Sequence, residues 1–244
     1  MRIIVAPESY TLSSGEVTCF LAGGITGCVV WQEEVIEQLK RLEEIDEDLN
    51  RLVIFNPRRS EWPTDTNEIQ KQIQWEHDSL EASDIFSMYF VNSESVQPIC
   101  LYELGKHTTL WRLKYGELAT SFMTIGIEDG YKRALDVEMQ MTCDHLEGAI
   151  RLNATPLIHA TAIASCLKEY LAWKRKESKY SNAEYDPYDK YFHDGNRSFA
   201  VADAFNHSWN HHSHCQYWGL LEDDPKSEEL DMTKYLEGEE NQNE

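Results

Sequence analysis

Short apolar runs alternate with amphipathic stretches along residues 1–176 of this 244-residue chain. Runs of four to eight mostly apolar residues are typical of strands buried on both faces, and apolar positions every three or four residues are typical of helices. This alternation predicts an α/β fold with a doubly wound parallel sheet of about five strands. The predicted strands cover residues 17–22, 52–55, 84–91, 121–126 and 149–152, and the predicted helices cover 30–49, 67–83, 98–119, 134–146 and 156–176.

The predicted helix over residues 67–83 carries one acidic residue on its inner face. On a helical wheel Glu76 lies within about 60° of Ile69, Ile73 and Leu80, whereas Asp78 points nearly opposite. Burial of Glu76 would raise its pKa, which makes it a candidate proton donor.

The predicted helix that begins at Pro98 carries a second inward carboxylate. Proline suits the first position of a helix. Glu103 falls within the arc of apolar residues on this helix, where a carboxylate is either paired or functional. The helix follows the carboxyl end of a strand, where open α/β sheets bind ligands. Because Glu103 lies near the helix start, the dipole predicts that it stays ionised. The arc consists of Ile99, Cys100, Leu101 and Leu104.

Charge and cysteine usage limit the partners and the compartment. The formal net charge of −21 argues against a nucleic acid polymer or an anionic membrane as a partner. No run approaches the roughly 20 apolar residues of a membrane helix, and the first seven residues are too short for a secretory signal. The six cysteines form no C-x-x-C pair, which favours reduced cysteines in a cytoplasmic protein over disulfides.

Two turns at strand ends could hold an anion. Gly23 and Gly24 follow the first predicted strand, where backbone N–H groups can face a ligand, although a tight strand-to-helix connection explains them equally well. Arg58 and Arg59 follow Asn56 at the end of the second predicted strand. They could clamp a phosphate or carboxylate, or they could pair with nearby glutamates.

The composition changes after residue 176. Residues 177–220 predict a mostly helical, aromatic and histidine-rich extension, and residues 221–244 predict a disordered acidic tail. On a helix His207, His211 and His214 would share one face, which could bind zinc or nickel. The interleaved aromatic residues suit a docking helix equally well, and we expect no metal and no cofactor. The predicted domains are therefore 1–16, 17–176, 177–220 and 221–244.

Six short motifs, in one order and at characteristic spacings, resemble the nucleoside 2-deoxyribosyltransferase-like family. The resemblance extends over about residues 17–140 and is closest to a branch with an N-P-R-R segment. The motifs are Phe20 to Gly24, Trp31 with Gln32, Asn56 to Arg59, Trp75 with Glu76, Ala82 to Asp84, and Leu101 to Gly105.

The resemblance implies a flavodoxin-like fold and the cleavage of an N-glycosidic bond. In the family a glutamate forms an ester with the sugar and passes it to another base, and a neighbouring subunit completes the site. Glu103 resembles that nucleophile, and Glu76 resembles the acidic residue that helps move the proton of the base. The implied partners are a nucleoside or nucleotide substrate, a free nucleobase and further copies in a homo-oligomer. Other candidate substrate-binding residues are Phe20, Ala22, Gly23, Gly24, Trp31, Asn56, Arg58, Arg59, Asp84 and Glu94.

Two departures from the family pattern leave alternatives open. Val30 stands where many relatives have aspartate, and the loop 92–97 lacks an aspartate, with Glu94 as the substitute. One alternative is a hydrolase that uses water on a nucleotide or related N-glycoside, with Arg58 or Arg59 holding phosphate. The other alternative is a binding protein that keeps the fold without turnover.

Overall fold

The computed structural model of the protein describes residues 1–61 and 64–180, with side chains as far as residue 177. Six parallel strands within these residues form one sheet in the order β1-β3-β2-β4-β5-β6. The central strands are buried along their whole length because helices cover both faces. The strands are β1 (Arg2–Val5), β2 (Val17–Gly23), β3 (Leu52–Asn56), β4 (Ile85–Phe90), β5 (Met123–Ile127) and β6 (Ile150–Leu152).

The helices lie in two layers. Helices α1 and α5 pack against each other, and α5 also contacts β4 and β5. Helix α2 contacts β2, and α3 contacts β4. The bounds are α1 (Trp31–Glu43), α2 (Thr66–Glu81), α3 (Pro98–Tyr115), α4 (Ala134–Cys143) and α5 (Pro156–Tyr180), with short 3-10 helices at Glu47–Arg51, Gly116–Phe122 and Glu147–Ala149.

The strand order confirms the predicted doubly wound parallel sheet. From β2 onward the order along the sheet is second, first, third, fourth, fifth, which is the flavodoxin-like order. The chain reverses its direction of winding between β2 and β4, which are neighbours. Such a switch point opens a crevice at the carboxyl ends of the two strands, so the fold itself locates the place for a site.

The sequence predicts that the first 16 residues form a segment of their own. In the structure they are part of the α/β unit. Strand β1 pairs with β3, and the following residues lie against α2, where the Trp75 indole N–H donates to the Glu8 carbonyl oxygen at 2.8 Å. The Tyr10 ring packs on Phe55 with a centroid distance of 4.6 Å. Because β1 is an edge strand of only four residues, its apolar run is too short to predict a strand.

Two helix predictions need correction. Helix α1 ends at Glu43 rather than near residue 49, so Ile45 lies beyond its inner face and is 85% exposed. In α2, Ile73 is 58% exposed because the buried face is shifted toward Trp75, which fills the space against the sheet. Asp78 is exposed, as predicted.

Several predictions concern residues beyond those described. The histidines of residues 207–214 and Cys215 lie outside the described part of the chain, whereas the five cysteines within it are all free. In residues 1–61 and 64–180 no three acidic, histidine or cysteine side chains are grouped closely enough to hold a metal ion. None of the helices in these ranges combines the length and apolar character that crossing a bilayer requires.

Candidate active site

A cleft of about 220 Å³ lies at the carboxyl ends of β2 and β4, at the switch point of the sheet. It brings together Glu76 from α2 and Glu103 from α3, which are far apart in the sequence. Two acidic side chains in one small cleft are the feature that a glycosidic mechanism requires. The cleft is lined by Phe20, Gly23, Gly24, Ile25, Thr26, Pro57, Glu76, Ser95, Gln97, Pro98, Ile99, Cys100 and Glu103.

Glu103 is partly buried in the cleft and has a raised proton affinity. Burial and the nearby Glu76 carboxylate raise the pKa of Glu103 to about 7, against the opposing effect of Lys106. Burial therefore opposes the ionisation that the helix dipole predicts for Glu103. Glu103 is the sixth residue of α3, and the dipole acts mainly within the first turn. At neutral pH the side chain exchanges between a carboxylate and a carboxylic acid.

Glu76 lies on the inner face of α2, as predicted. Burial raises the pKa of Glu76, and a hydrogen bond from Gln72 opposes that effect. The Gln72 Nε2 atom donates to Glu76 Oε1 at 2.7 Å, one helical turn away. The side chain is therefore held in one orientation and is suited to carry a proton.

The turn after β2 forms one wall of the cleft. Gly23 has a φ of +150°, and a Cβ atom there would lie 2.4 Å from the Tyr89 carbonyl oxygen. A Cβ atom at Gly24 would lie 2.7 Å from Gln97 Oε1. Gly23 is needed because the chain passes so close to the backbone of β4, whereas at Gly24 the closest atoms are the side-chain ends of Cys28 and Gln97. Ala22 is only 1% exposed and belongs to the core of the sheet rather than to the cleft.

Arg58 stabilises this turn through hydrogen bonds and does not line the cleft. Its Nε atom donates to Gln32 Oε1 at 2.9 Å, and its Nη2 atom donates to the carbonyl oxygens of Ile25 and Val29 at 3.0 and 3.1 Å. These bonds occupy the Nε and Nη2 donors, which form one of the two-donor edges that a bidentate phosphate contact would use. The prediction that Arg58 contacts the ligand is therefore replaced by a role in holding the turn.

The remaining residues of that predicted motif lie around Arg58. The Asn56 Oδ1 atom accepts from the Arg58 backbone N–H at 3.0 Å and shapes the turn after β3. Arg59 is not among the described residues that line the cleft, and its Nη1 atom is buried without a hydrogen-bond partner in the described part of the chain. Pro57, between Asn56 and Arg58, is the residue of this motif that reaches the cleft.

Trp31 is a buried support of the glycine turn. Its indole N–H donates to the Gly24 carbonyl oxygen at 3.0 Å, and its ring packs against Tyr89 with a centroid distance of 4.9 Å. Because Trp31 is 1% exposed, it fixes the wall of the cleft without lining the space.

Asp84 does not lie at the cleft, contrary to the prediction. It directly precedes β4, at the amino ends of the strands, whereas the cleft lies at their carboxyl ends. Its Oδ2 atom accepts from the backbone N–H of Thr18 at 3.0 Å, and its Oδ1 atom accepts from the Tyr170 hydroxyl at 2.6 Å. Asp84 therefore ties β2 and α5 to the start of β4.

Replacement of Asp84 with alanine is expected to lower the free energy of unfolding by about 2 to 3 kcal/mol, because both donors lose a charged acceptor. Catalytic constants measured below the unfolding transition should not change. Chemical denaturation checks the first expectation, with Asp78→Ala, on the exposed face of α2, as the control. A change of KM in the folded Asp84→Ala variant would return Asp84 to the site.

Glu94 also lies away from the cleft. Its side chain is fully exposed, and a carboxylate oxygen accepts from Lys132 Nζ at 2.8 Å. Ser95 and Gln97 of the same loop reach the cleft instead. Gln97 has a left-handed backbone with a φ of 51°, and its Nε2 atom donates to the Val91 carbonyl oxygen at 2.7 Å. The loop therefore turns Ser95 and Gln97 toward the cleft and the Glu94 carboxylate toward solvent.

Several residues of the cleft could not be assigned from the sequence. Ile25, Thr26, Ser95 and Gln97 lie in loops, where no periodic pattern tells which side chains face inward. Their position directly after the carboxyl ends of β2 and β4 was the available signal, since both loops border the switch point.

A second cavity of about 400 Å³ lies at the other end of α3. Arg112, Glu117 and His145 are among the residues that line it, and it contains none of the predicted site residues. It lies near the amino ends of the strands, away from the switch point, so the cleft with the two glutamates is the candidate active site.

Comparison with known families finds a match in the part of the chain that contributes both glutamates to the cleft. Residues 16–112 match the model of a family described as nucleoside 2-deoxyribosyltransferase like. The match runs from the start of β2 into α3 and includes both Glu76 and Glu103. It confirms the family resemblance that the sequence motifs predict. No curated protein matches the chain.

Proposed function

We propose that this protein cleaves the N-glycosidic bond of a 2-deoxynucleoside and transfers the deoxyribose to another base through an ester on Glu103. The observation that carries the proposal is the convergence of Glu76 and Glu103, from two helices, on one cleft at the switch point of the sheet. The family match over residues 16–112 supports the same chemistry.

In the first step a carboxylate oxygen of Glu103 attacks C1′ of the deoxyribose. The bond from C1′ to the base nitrogen breaks, and its electron pair stays on the base. Glu76 gives its proton to the base, so the products are a neutral base, a glutamyl ester and the Glu76 carboxylate. Such a transfer passes through an oxocarbenium-like state that a nearby carboxylate stabilises.

In the second step a nitrogen of the incoming base attacks C1′ of the ester. The ester bond breaks and Glu103 leaves as a carboxylate, while the proton of the incoming base passes to Glu76. The two displacements at C1′ restore the original configuration. The enzyme ends in the protonation state in which it began.

The raised pKa values of both glutamates keep one proton in the cleft. The mechanism needs one carboxylate and one carboxylic acid, and two close carboxylates resist losing both protons. Burial raises the pKa of both side chains, and the charge of Glu76 raises that of Glu103 further. The pair therefore retains one proton up to about neutral pH. Without substrate that proton resides mainly on Glu103, and it must pass to Glu76 before Glu103 attacks C1′.

The charge of the cleft favours a nucleoside over a nucleotide. Its described lining contains two glutamates and no arginine or lysine. Arg58, the residue expected to hold a phosphate in the hydrolase alternative, is bound to Gln32 and to backbone carbonyl groups. A phosphate in this cleft would face carboxylates without a compensating cation.

The predicted homo-oligomer stays a prediction. Ile99 at the mouth of the cleft and Tyr102 on the exposed side of α3 are 67% and 69% exposed. A second copy that covers them would bury apolar surface at the mouth of the site and would exclude water from the ester.

Incubation of the purified protein with a 2-deoxynucleoside, alone and with a second free base, tests the proposal. We expect an exchanged nucleoside with the second base and little free deoxyribose without it. Free deoxyribose at equal rates in both mixtures would indicate the hydrolase instead. Absence of both products with all common deoxynucleosides would favour the binding protein without turnover.

A further inference from the structure

Gln72 is a fully buried polar residue that links two parts of the cleft. It lies on the inner face of α2, one turn before Glu76. Its Nε2 atom donates to the Pro57 carbonyl oxygen at 2.9 Å and to Glu76 Oε1 at 2.7 Å. Pro57 lines the cleft from the turn after β3, so a single amide group joins that turn to the glutamate.

The orientation of this amide group is set by chemistry. The Pro57 carbonyl oxygen can only accept a hydrogen bond, so the amide must turn its NH₂ group toward it. The same NH₂ group then presents its second hydrogen to Glu76. Gln72 therefore stabilises the carboxylate form of Glu76 more than the acid form.

This arrangement leaves one atom without a partner. The Oε1 atom of Gln72 is buried and accepts no hydrogen bond within the described part of the chain. An apolar side chain of the same size would pack at this position without burying an unpaired acceptor. A role in packing alone therefore does not account for glutamine at position 72.

We propose that Gln72 is a positioning residue, whose amide group holds Glu76 toward the cleft and stabilises the carboxylate that remains after proton transfer. The role in proton transfer rests on the proposed function. Without Gln72, the Glu76 carboxylate would lose its hydrogen-bond donor and would be free to rotate away from the base.

Among the described residues, the titratable groups that line the cleft near Glu76 come from α3. From α3, the Glu103 carboxyl and the Cys100 thiol face it across the cleft, and the charge of Lys106 acts on Glu103. Phe20 from β2 and Pro57 from the turn after β3 carry no titratable group. Replacement of Glu103 with glutamine removes the neighbouring carboxyl group, whose titration is coupled to that of Glu76, and isolates the effect of Gln72.

The test is a pH titration of Glu76 in the full-length protein that carries Glu103→Gln. The carboxyl carbons of the glutamates are labelled with ¹³C, and the Glu76 signal is assigned by its loss in Glu76→Gln. Gln72→Met keeps the length of the side chain and removes the amide. We expect it to raise the pKa of Glu76 by about one unit or more, because a charged hydrogen bond is lost.

The same helix supplies a matched control. Gln74 Nε2 donates to Asp78 Oδ1 at 2.7 Å with the same spacing, but on the exposed face of α2. Gln74→Met should leave the titration of Glu76 unchanged. An unchanged titration in Gln72→Met would overturn the proposal. If Gln72→Met does not fold, Gln72→Asn, whose shorter amide cannot hold both acceptors, must shift the titration in the same direction.

A kinetic measurement separates this proposal from the proposed function. In the protein with Glu103 intact, Gln72→Met should lower kcat for base exchange about tenfold with little change in KM. It should also move the alkaline limb of the pH profile to higher pH, because Glu76 keeps its proton to a higher pH. If the unmodified protein shows no exchange, the proposed function fails, whereas the titration still decides the role of Gln72.

Discussion

Replacement of Glu103 with alanine is expected to reduce base exchange by at least about a thousandfold, because the covalent intermediate can no longer form. The effect should appear in kcat, since the remainder of the cleft still binds the nucleoside. In the unmodified protein, incubation with a deoxynucleoside alone should add the mass of deoxyribose to the peptide that contains Glu103. That peptide should carry no added mass in the variant.

Two further variants make this result specific. Glu103→Gln preserves the size of the side chain and should be as inactive as Glu103→Ala, which excludes loss of packing as the cause. Asp78→Ala removes an exposed carboxylate from α2 and should keep full activity. Exchange at the normal rate in Glu103→Gln, or sugar on a different peptide, would contradict the assignment of the nucleophile.

The sheet could be predicted from sequence because its strands are buried on both faces. The runs that form β2 and β4 contain almost no polar interruption, and the structure places both in the centre of the sheet. Strand β1 has only four residues and one neighbour, so its local signal is weak. The exposed Ile45 shows the converse limit, because periodicity continues past the point where α1 ends.

The two glutamates could be predicted because each lies on a helix, where spacing determines which way a side chain points. Asp84 and Glu94 were predicted from motif position alone. The structure shows Asp84 at the opposite edge of the sheet and Glu94 in solvent beside Lys132. Arg58 follows a strand that ends near the cleft, but its direction is set by Gln32 and the glycine turn. These partners are distant in sequence, so no local pattern reveals them.

The second large prediction concerns stability. Replacement of Glu103 with glutamine is expected to raise the free energy of unfolding at pH 8 by up to about 3 kcal/mol, while it abolishes exchange. The pKa of Glu103 rises from its ordinary value of 4.5 to about 7 on folding, chiefly through burial. Between these values the folded protein binds more protons than the unfolded chain. The ionisation of Glu103 therefore lowers the free energy of unfolding as pH rises. Glutamine does not ionise and avoids this loss.

Chemical denaturation of both proteins across the pH range checks the sign and the window. The difference in unfolding free energy should be small below pH 4, grow between about pH 4.5 and 7, and level off above pH 7. Glu68→Gln, a change in the exposed first turn of α2 that removes an ion pair with Lys71, should alter stability by less than about 1 kcal/mol at every pH. A difference that is constant with pH would mean that burial does not raise the pKa of Glu103. The cleft would then hold an ordinary ionised carboxylate, and the sharing of one proton with Glu76 would no longer explain how the leaving base is protonated.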